Sequence, residues 1–139
     1  MKKKVCVVGA GRWGKNHIRT LHNSGNLGGI VEHDQKVLDS FKVPCPNTDC
    51  FTGLDDAIKY GFDGFTVATP AESHFEIARK IIESGHHVLV EKPITMNSAD
   101  TIRLHELSIK NKVNLMVGHV LLFHPAFQKI KQLIEDGTL

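Results

Sequence analysis

Short apolar runs alternate along this chain with segments whose apolar residues recur three or four positions apart. That is the pattern of strands alternating with helices, and it predicts a parallel sheet covered on both faces. Val5–Val8 is a continuous apolar run, as a strand buried on both sides requires. A glycine-rich turn follows, and then a helix over Trp13–Ser24 with Trp13, Ile18 and Leu21 on its apolar face. Leu27–Val31 reads as the second strand, although Gly28 and Gly29 weaken it. A modest helix is expected over Gln35–Phe41, and Pro44 and Pro46 then impose a loop. Leu54–Tyr60 is a short helix and Gly64–Ala68 a strand. Thr69-Pro70-Ala71-Glu72 has the form of a helix start, with Thr69 as cap, Pro70 in the first turn and Glu72 closing a capping box. Phe75, Ala78, Ile81 and Ile82 give the helix that follows its buried face, and Gly85 ends it. His87–Val90 and Leu115–Val117 are strands, separated by a helix that opens at Asn97 and Asp100 and ends near Lys112. Pro125–Asp136 is a last amphipathic helix, closed by Gly137. The fold class is therefore α/β, a doubly wound parallel sheet.

A length of 139 residues accommodates one domain, and residues 1–139 are taken as a single dinucleotide-binding domain. The chain is 41% hydrophobic and 23% charged, which places it among ordinary globular proteins. The net charge is +2, and the densest basic run is Lys2–Lys4, so a nucleic-acid partner is not expected. No apolar run is long enough for a membrane span, and no signal-peptide pattern follows Met1. Three cysteines, Cys6, Cys45 and Cys50, form no disulfide framework and suit a reducing cytoplasm. No second Cys/His pair matches Cys45 and Cys50, so no metal site is expected.

The chemistry begins at Gly9-Ala10-Gly11-Arg12-Trp13-Gly14. This GxGxxG follows a predicted strand and opens a helix, the context in which the motif binds a dinucleotide. Gly9 permits the tight turn, Gly11 lets the backbone approach a pyrophosphate, and Gly14 lets helix and strand pack closely. The helix start adds unpaired N–H groups and a positive dipole end. Trp13 is expected to pack, with its backbone N–H toward phosphate. Glu32 stands 18 residues past Gly14, at the end of the second strand, where an acidic residue accepts hydrogen bonds from ribose hydroxyls. No Arg or Lys follows directly, so NAD is favoured over NADP, with protonated His33 a partial offset. A methyltransferase uses a similar glycine loop, but the segments downstream disfavour it.

Those segments resemble a known family. Asp63-Gly64-Phe65-Thr66-Val67-Ala68-Thr69-Pro70, followed by His74, resembles the fourth strand and turn of the GFO/IDH/MocA oxidoreductases. Gly85-His86-His87-Val88-Leu89-Val90-Glu91-Lys92-Pro93 is similar to that family's signature ending in Glu-Lys-Pro. Gly118-His119-Val120-Leu121-Leu122-Phe123-His124-Pro125-Ala126 resembles the segment found in members acting on nucleotide sugars, including 3-dehydrogenases of UDP-linked acetamido sugars and uronic acids. Many members carry Arg where Leu122 stands, and that departure removes an anion contact. The resemblance spans Val5 to about Gly137. It implies a Rossmann domain, with the family's second, substrate-binding domain absent from this chain.

The resemblance also implies roles. Lys92 would contact the nicotinamide ribose and the reacting hydroxyl and act as the catalytic cation, and Glu91 would help to set the ribose. Pro93 fixes the turn that aims Lys92 and is a candidate for a cis peptide. The turn at Thr69 and Pro70 would pass beneath the nicotinamide. His74 is either a cofactor contact or a packed, hydrogen-bonded helix residue. His119 and His124 are substrate-contact candidates, each with an ordinary loop histidine as the competing reading. The other histidines share no metal spacing and read as structural or exposed. A general base is expected from the second domain. The expected protein is an NAD-dependent sugar or nucleotide-sugar dehydrogenase, a homo-oligomer when full length, of which this chain is the cofactor half and by itself is not competent in turnover. Its rivals are a dinucleotide-responsive regulator and a partner subunit.

Overall fold

The computed structural model describes residues 2–139. Its elements run β1 (Val5–Val8), α1 (Gly14–Ser24), β2 (Leu27–Val31), α2 (Gln35–Asp39), β3 (Asp49–Phe51), α3 (Leu54–Ile58), β4 (Gly64–Val67), α4 (His74–Glu83), β5 (His87–Val90), α5 (Ser98–Lys110), β6 (Leu115–Val117) and α6 (Pro125–Glu135). Short 3₁₀ turns precede α4 and α6, at Ala71–Ser73 and Val120–Phe123. The six strands form one parallel sheet in the order β3-β2-β1-β4-β5-β6. The chain reverses its winding between β1 and β4, the topological switch point at which ligands of open α/β sheets bind.

Each face of the sheet carries its own core. Val7, Ile18, Leu27, Ile30 and Leu38 gather on the side of α1 and α2. Cys6, Val8, Phe65, Val67, Ala78, Ile81, Ile82 and Leu104 fill the other side, under α3, α4 and α5. Cys6 and Val7 therefore face opposite ways, as the two-residue period of a strand dictates. Cys6 serves as a small hydrophobe, and burial pushes its thiol above the ordinary range. All three cysteines are free thiols. None of the described helices is long and apolar enough to cross a membrane.

Three local expectations are corrected. Gly28 and Gly29 do not weaken β2, because the Phe62 ring lies against them: a Cβ would stand 2.9 Å from that ring at Gly28 and 2.6 Å at Gly29. The segment after Pro46 is not loop throughout, since Asp49–Phe51 forms edge strand β3 through pairing with β2. Thr69 does not cap α4 and the capping box does not form. Pro70 is extended, at φ −58° and ψ 143°, a 3₁₀ turn intervenes, and the Thr69 hydroxyl accepts from Ser73 Oγ at 2.8 Å. Elsewhere local chemistry decides the ends as expected. Asn97 Oδ1 caps α5 by accepting from Asp100 N–H at 2.9 Å, and Gly85 ends the α4 segment at φ +81°.

The last helix has an exposed apolar stripe of Phe127, Ile130 and Ile134. Val120, Leu121, Leu122 and Phe123 before it are each more than half exposed.

Candidate functional site

A backbone staircase aligns the carboxyl edge of the sheet. The residue just past each of five strands donates its N–H to the last carbonyl of the neighbouring strand. The pairs are Gly9 to Val31 (2.8 Å), Glu32 to Phe51 (3.0 Å), Ala68 to Val8 (2.8 Å), Glu91 to Val67 (2.9 Å) and Gly118 to Val90 (2.8 Å). Residues far apart in sequence are thereby held along one line: the glycine turn, Glu32, the Thr69 turn, the Glu91-Lys92-Pro93 turn and Gly118.

At the switch point lies a cleft of about 590 Å³, lined by Gly9, Gly11, Arg12, Trp13, Glu32, His33, Thr52, Leu54, Thr69, Pro70 and Ile77 among others. The glycines differ in what they make possible. Gly9 adopts φ +91°, and Gly14 packs so closely on it that a Cβ would stand 1.8 Å from Gly9 O. Beside Gly11 there is open space within 4 Å of a would-be Cβ. Among the described residues, the N–H groups of Arg12, Trp13 and Gly14 have no backbone acceptor, as expected at the start of α1. The cradle fits a pyrophosphate: a close turn, open space and convergent donors backed by the dipole of α1. Trp13 is not a core residue as expected. It is 51% exposed and stands at the cleft, one position before the first turn of α1.

Glu32 is positioned with care. Its side chain is about one-tenth exposed, its Oε2 accepts from Ala10 N–H at 2.9 Å, and its Oε1 accepts from Asp34 N–H at 3.2 Å. His33 Nδ1 lies 2.7 Å from Oε1, on a ring that is almost wholly in solvent. A carboxylate has about four acceptor sites, so these partners orient Glu32 and still leave capacity for hydroxyl donors.

Lys92 is exposed after β5, and the Lys92–Pro93 peptide is cis. Among the described residues its ammonium has no carboxylate or hydrogen-bond partner. It lines a second hollow of about 500 Å³ with Pro93, Gly118, His119, Val120, Leu121, Leu122 and Phe127. Among the described residues Glu91 forms no ion pair with a lysine. Glu91 is instead turned inward, with its carboxylate on His17 Nε2 at 2.7 Å and Lys92 N at 3.3 Å. It does not present itself to a ribose.

His74 is likewise beneath the site rather than on it. It is 1% exposed, with Nδ1 2.8 Å from Pro93 O and Nε2 2.9 Å from Thr69 O. This is the packed alternative for His74, and it ties the turn after β4 to the turn after β5. His74→Ala is expected to lower unfolding free energy by about 2–3 kcal/mol, since a buried ring is lost from between the two turns, together with the hydrogen bond that its N–H donates to one of their carbonyls. Urea denaturation measures this, and an unchanged midpoint would deny the tie. His119 is exposed on the wall of the Lys92 hollow. His124 spends Nδ1 on capping α6, accepting from Ala126 N–H at 3.2 Å. No cluster of three His, Cys, Asp or Glu suited to a metal exists among the described residues.

Three cleft residues and one strut were missed in sequence. Thr52 follows β3, which the two prolines obscured, Leu54 reads only as the start of a short helix, and Ile77 is not among the positions singled out on α4. His17 could not have been found, because Glu91 lies 74 residues away.

The sequence and the fold both match known proteins. The model of the GFO_IDH_MocA family, described as an oxidoreductase family with an NAD-binding Rossmann fold, matches residues 3–119. Inositol 2-dehydrogenase of Corynebacterium glutamicum is 31% identical over 139 aligned residues, which cover 96% of this chain and 41% of that protein. UDP-N-acetylglucosamine 3-dehydrogenase of Acidithiobacillus ferrooxidans is 25% identical, covering 93% of this chain and 41% of that one. The crystal structure of the WlbA dehydrogenase from Bordetella pertussis in complex with NADH and UDP-GlcNAcA superposes with a TM-score of 0.91, at 28% identity, over 99% of this chain and 43% of that one. The chain thus spans about two fifths of the length of the relatives it matches.

Proposed function

The chain belongs to the GFO/IDH/MocA oxidoreductase family with its NAD-binding Rossmann fold, and from that premise we propose that it is the cofactor-binding half of a sugar or nucleotide-sugar dehydrogenase. The observation that carries this is the alignment of three features along one sheet edge. They are a pyrophosphate cradle at Gly9–Gly14, an oriented carboxylate at Glu32 and an unpaired cation at Lys92.

Each has a distinct task. The cradle holds the phosphates through Arg12, Trp13 and Gly14 N–H groups. Glu32 accepts from the adenosine ribose and repels a 2′-phosphate, which sets NAD above NADP. Thr69, Pro70 and Pro93 shape the floor toward the nicotinamide end. A bound nicotinamide would supply hydride exchange with the carbon that bears the hydroxyl. Lys92 holds the sugar hydroxyl and stabilises the negative charge that develops on its oxygen as the proton leaves. Its neighbours Val120, Leu121 and Pro93 line an apolar hollow beside that charge. His119 is on the same wall and within the region where substrate would lie. The base that takes the proton is assigned to a second, substrate-binding domain of the full-length enzyme. The named activities of the relatives support a polyhydroxylated substrate, either free like inositol or linked to UDP. A homo-oligomer is expected of the full-length enzyme, and the exposed Ile130 and Ile134 on α6 are apolar surface outside the Lys92 hollow that would suit it. Free thiols suit a cytoplasmic setting.

Glu32→Ser tests the cofactor assignment. A charge-assisted contact to ribose contributes about 1.5–3 kcal/mol, so NAD affinity should fall roughly tenfold to a hundredfold. NADP affinity should hold or rise, because the repelling charge is gone. Calorimetric titrations of both dinucleotides read this. Equal losses for NAD and NADP would remove Glu32 from the site.

A further inference from the structure

The Glu91 carboxylate is more confined than that of Glu32 at the same sheet edge. Its side chain is 8% exposed. It is walled by Gly118, where a Cβ would come within 3.1–3.2 Å of all three carboxyl atoms. It receives Lys92 N–H at 3.3 Å, and among the described residues a single side chain hydrogen-bonds to it: His17 Nε2, at 2.7 Å, itself one-quarter exposed. A buried carboxylate that loses such a donor must find water or move. Gly118 closes one side, and Glu91 directly precedes Lys92, so any shift of its side chain or backbone bears on the Lys92 turn.

His17 is on α1, one turn after Gly14, and so belongs to the same rigid helix that offers its N-terminus to the cradle. Glu91 immediately precedes Lys92. The hydrogen bond therefore spans the site, from the helix that would hold phosphate to the turn that would hold the nicotinamide ribose. We propose that His17 is a positioning residue: through Glu91 it locks the phosphate-binding helix to the Lys92 turn at the separation that a whole dinucleotide needs. This rests on the NAD-binding function proposed above. It makes Glu91 an internal strut rather than a ribose contact.

The strut predicts a split between ligands that reach one end of the site and those that reach both. ADP engages the cradle and Glu32 alone, and NAD also engages the Lys92 turn. In His17→Leu, NAD affinity should fall about tenfold while ADP affinity stays within about twofold. His17→Gln keeps a donor and should recover most of the NAD affinity. Glu91→Met keeps the bulk but removes the acceptor, and should fall like His17→Leu. If His17→Leu does not fold, Glu91→Met carries the same comparison. The double variant, His17→Leu with Glu91→Met, should cost no more than either alone, because both remove one interaction. A merely structural pair would move NAD and ADP together. Parallel losses, or an unchanged NAD-to-ADP ratio in both single variants, would overturn the strut. An unmodified chain that binds ADP but not NAD would overturn the function on which it rests, and the strut with it.

Discussion

Gly14→Ala should abolish measurable NAD binding, with affinity down by at least about a hundredfold. The cause is backbone contact rather than a lost ligand group. A Cβ at Gly14 would stand 1.8 Å from Gly9 O and 2.8 Å from Gly9 C. Gly9 cannot retreat easily, because its N–H is tied to Val31 O at 2.8 Å and its φ is +91°. Helix α1 must therefore move off β1, which opens the cradle and strains the core around Ile18. Such overpacking costs about 1–3 kcal/mol of stability. Gly11→Ala separates binding from folding. Its Cβ meets nothing within 4 Å, so the melting temperature should hold while NAD affinity falls, since the methyl group takes the space a pyrophosphate would fill. Calorimetry and thermal melts on the two variants check both statements. Near-normal NAD affinity in Gly14→Ala would mean that the phosphates do not sit at this turn.

Lys92→Met is the second large effect, and it falls on turnover. In a full-length enzyme carrying this domain, kcat should drop about 10²–10³-fold, the usual cost of losing a group aimed at developing negative charge. NAD affinity should change by less than about fivefold. The asymmetry follows from where the charge is needed: the hydroxyl is neutral in the ground state and becomes anionic only as the proton leaves. Nothing in the fold should suffer, since Lys92 is exposed and has no ion pair among the described residues. Steady-state kinetics with the sugar varied and NAD saturating distinguish the two parameters. Turnover at the original rate would remove Lys92 from the chemistry.

Much of the architecture was legible because the determinants are local. Strands β2, β5 and β6 begin and end where the apolar runs do, and Gly85 and Asn97 set helix ends through their own backbone and side-chain chemistry. What sequence missed was set by distant partners. Strand β3 is short and lies on an edge, so only its pairing with β2 distinguishes it from loop. Gly28 and Gly29 look like breaks until Phe62 is laid across them. The start of α4 failed differently: Thr69, Pro70 and Glu72 suited a cap, but the extended Pro70 delays the helix to His74, whose ring ties Thr69 O to Pro93 O. At the site, the glycine turn, Glu32 and Lys92 were visible as motif residues, and the staircase brings them to one edge. Glu91 was visible as a position but not as a role, and His74 as a position with two open roles, because burial decides whether a polar side chain meets a ligand or holds the scaffold.

The central claim is that NAD binds along this sheet edge, from the glycine turn to Lys92. Amide chemical shifts of the uniformly ¹⁵N-labelled chain, followed during titration with NAD, test it most directly. Shifts are predicted to concentrate at residues 9–14, at Glu32 and His33, at Thr52, at Thr69 and at Lys92, with the surface of α4 and α5 around Arg79 and Arg103 unmoved. No shifts at millimolar NAD, or shifts centred away from the glycine turn, would contradict it.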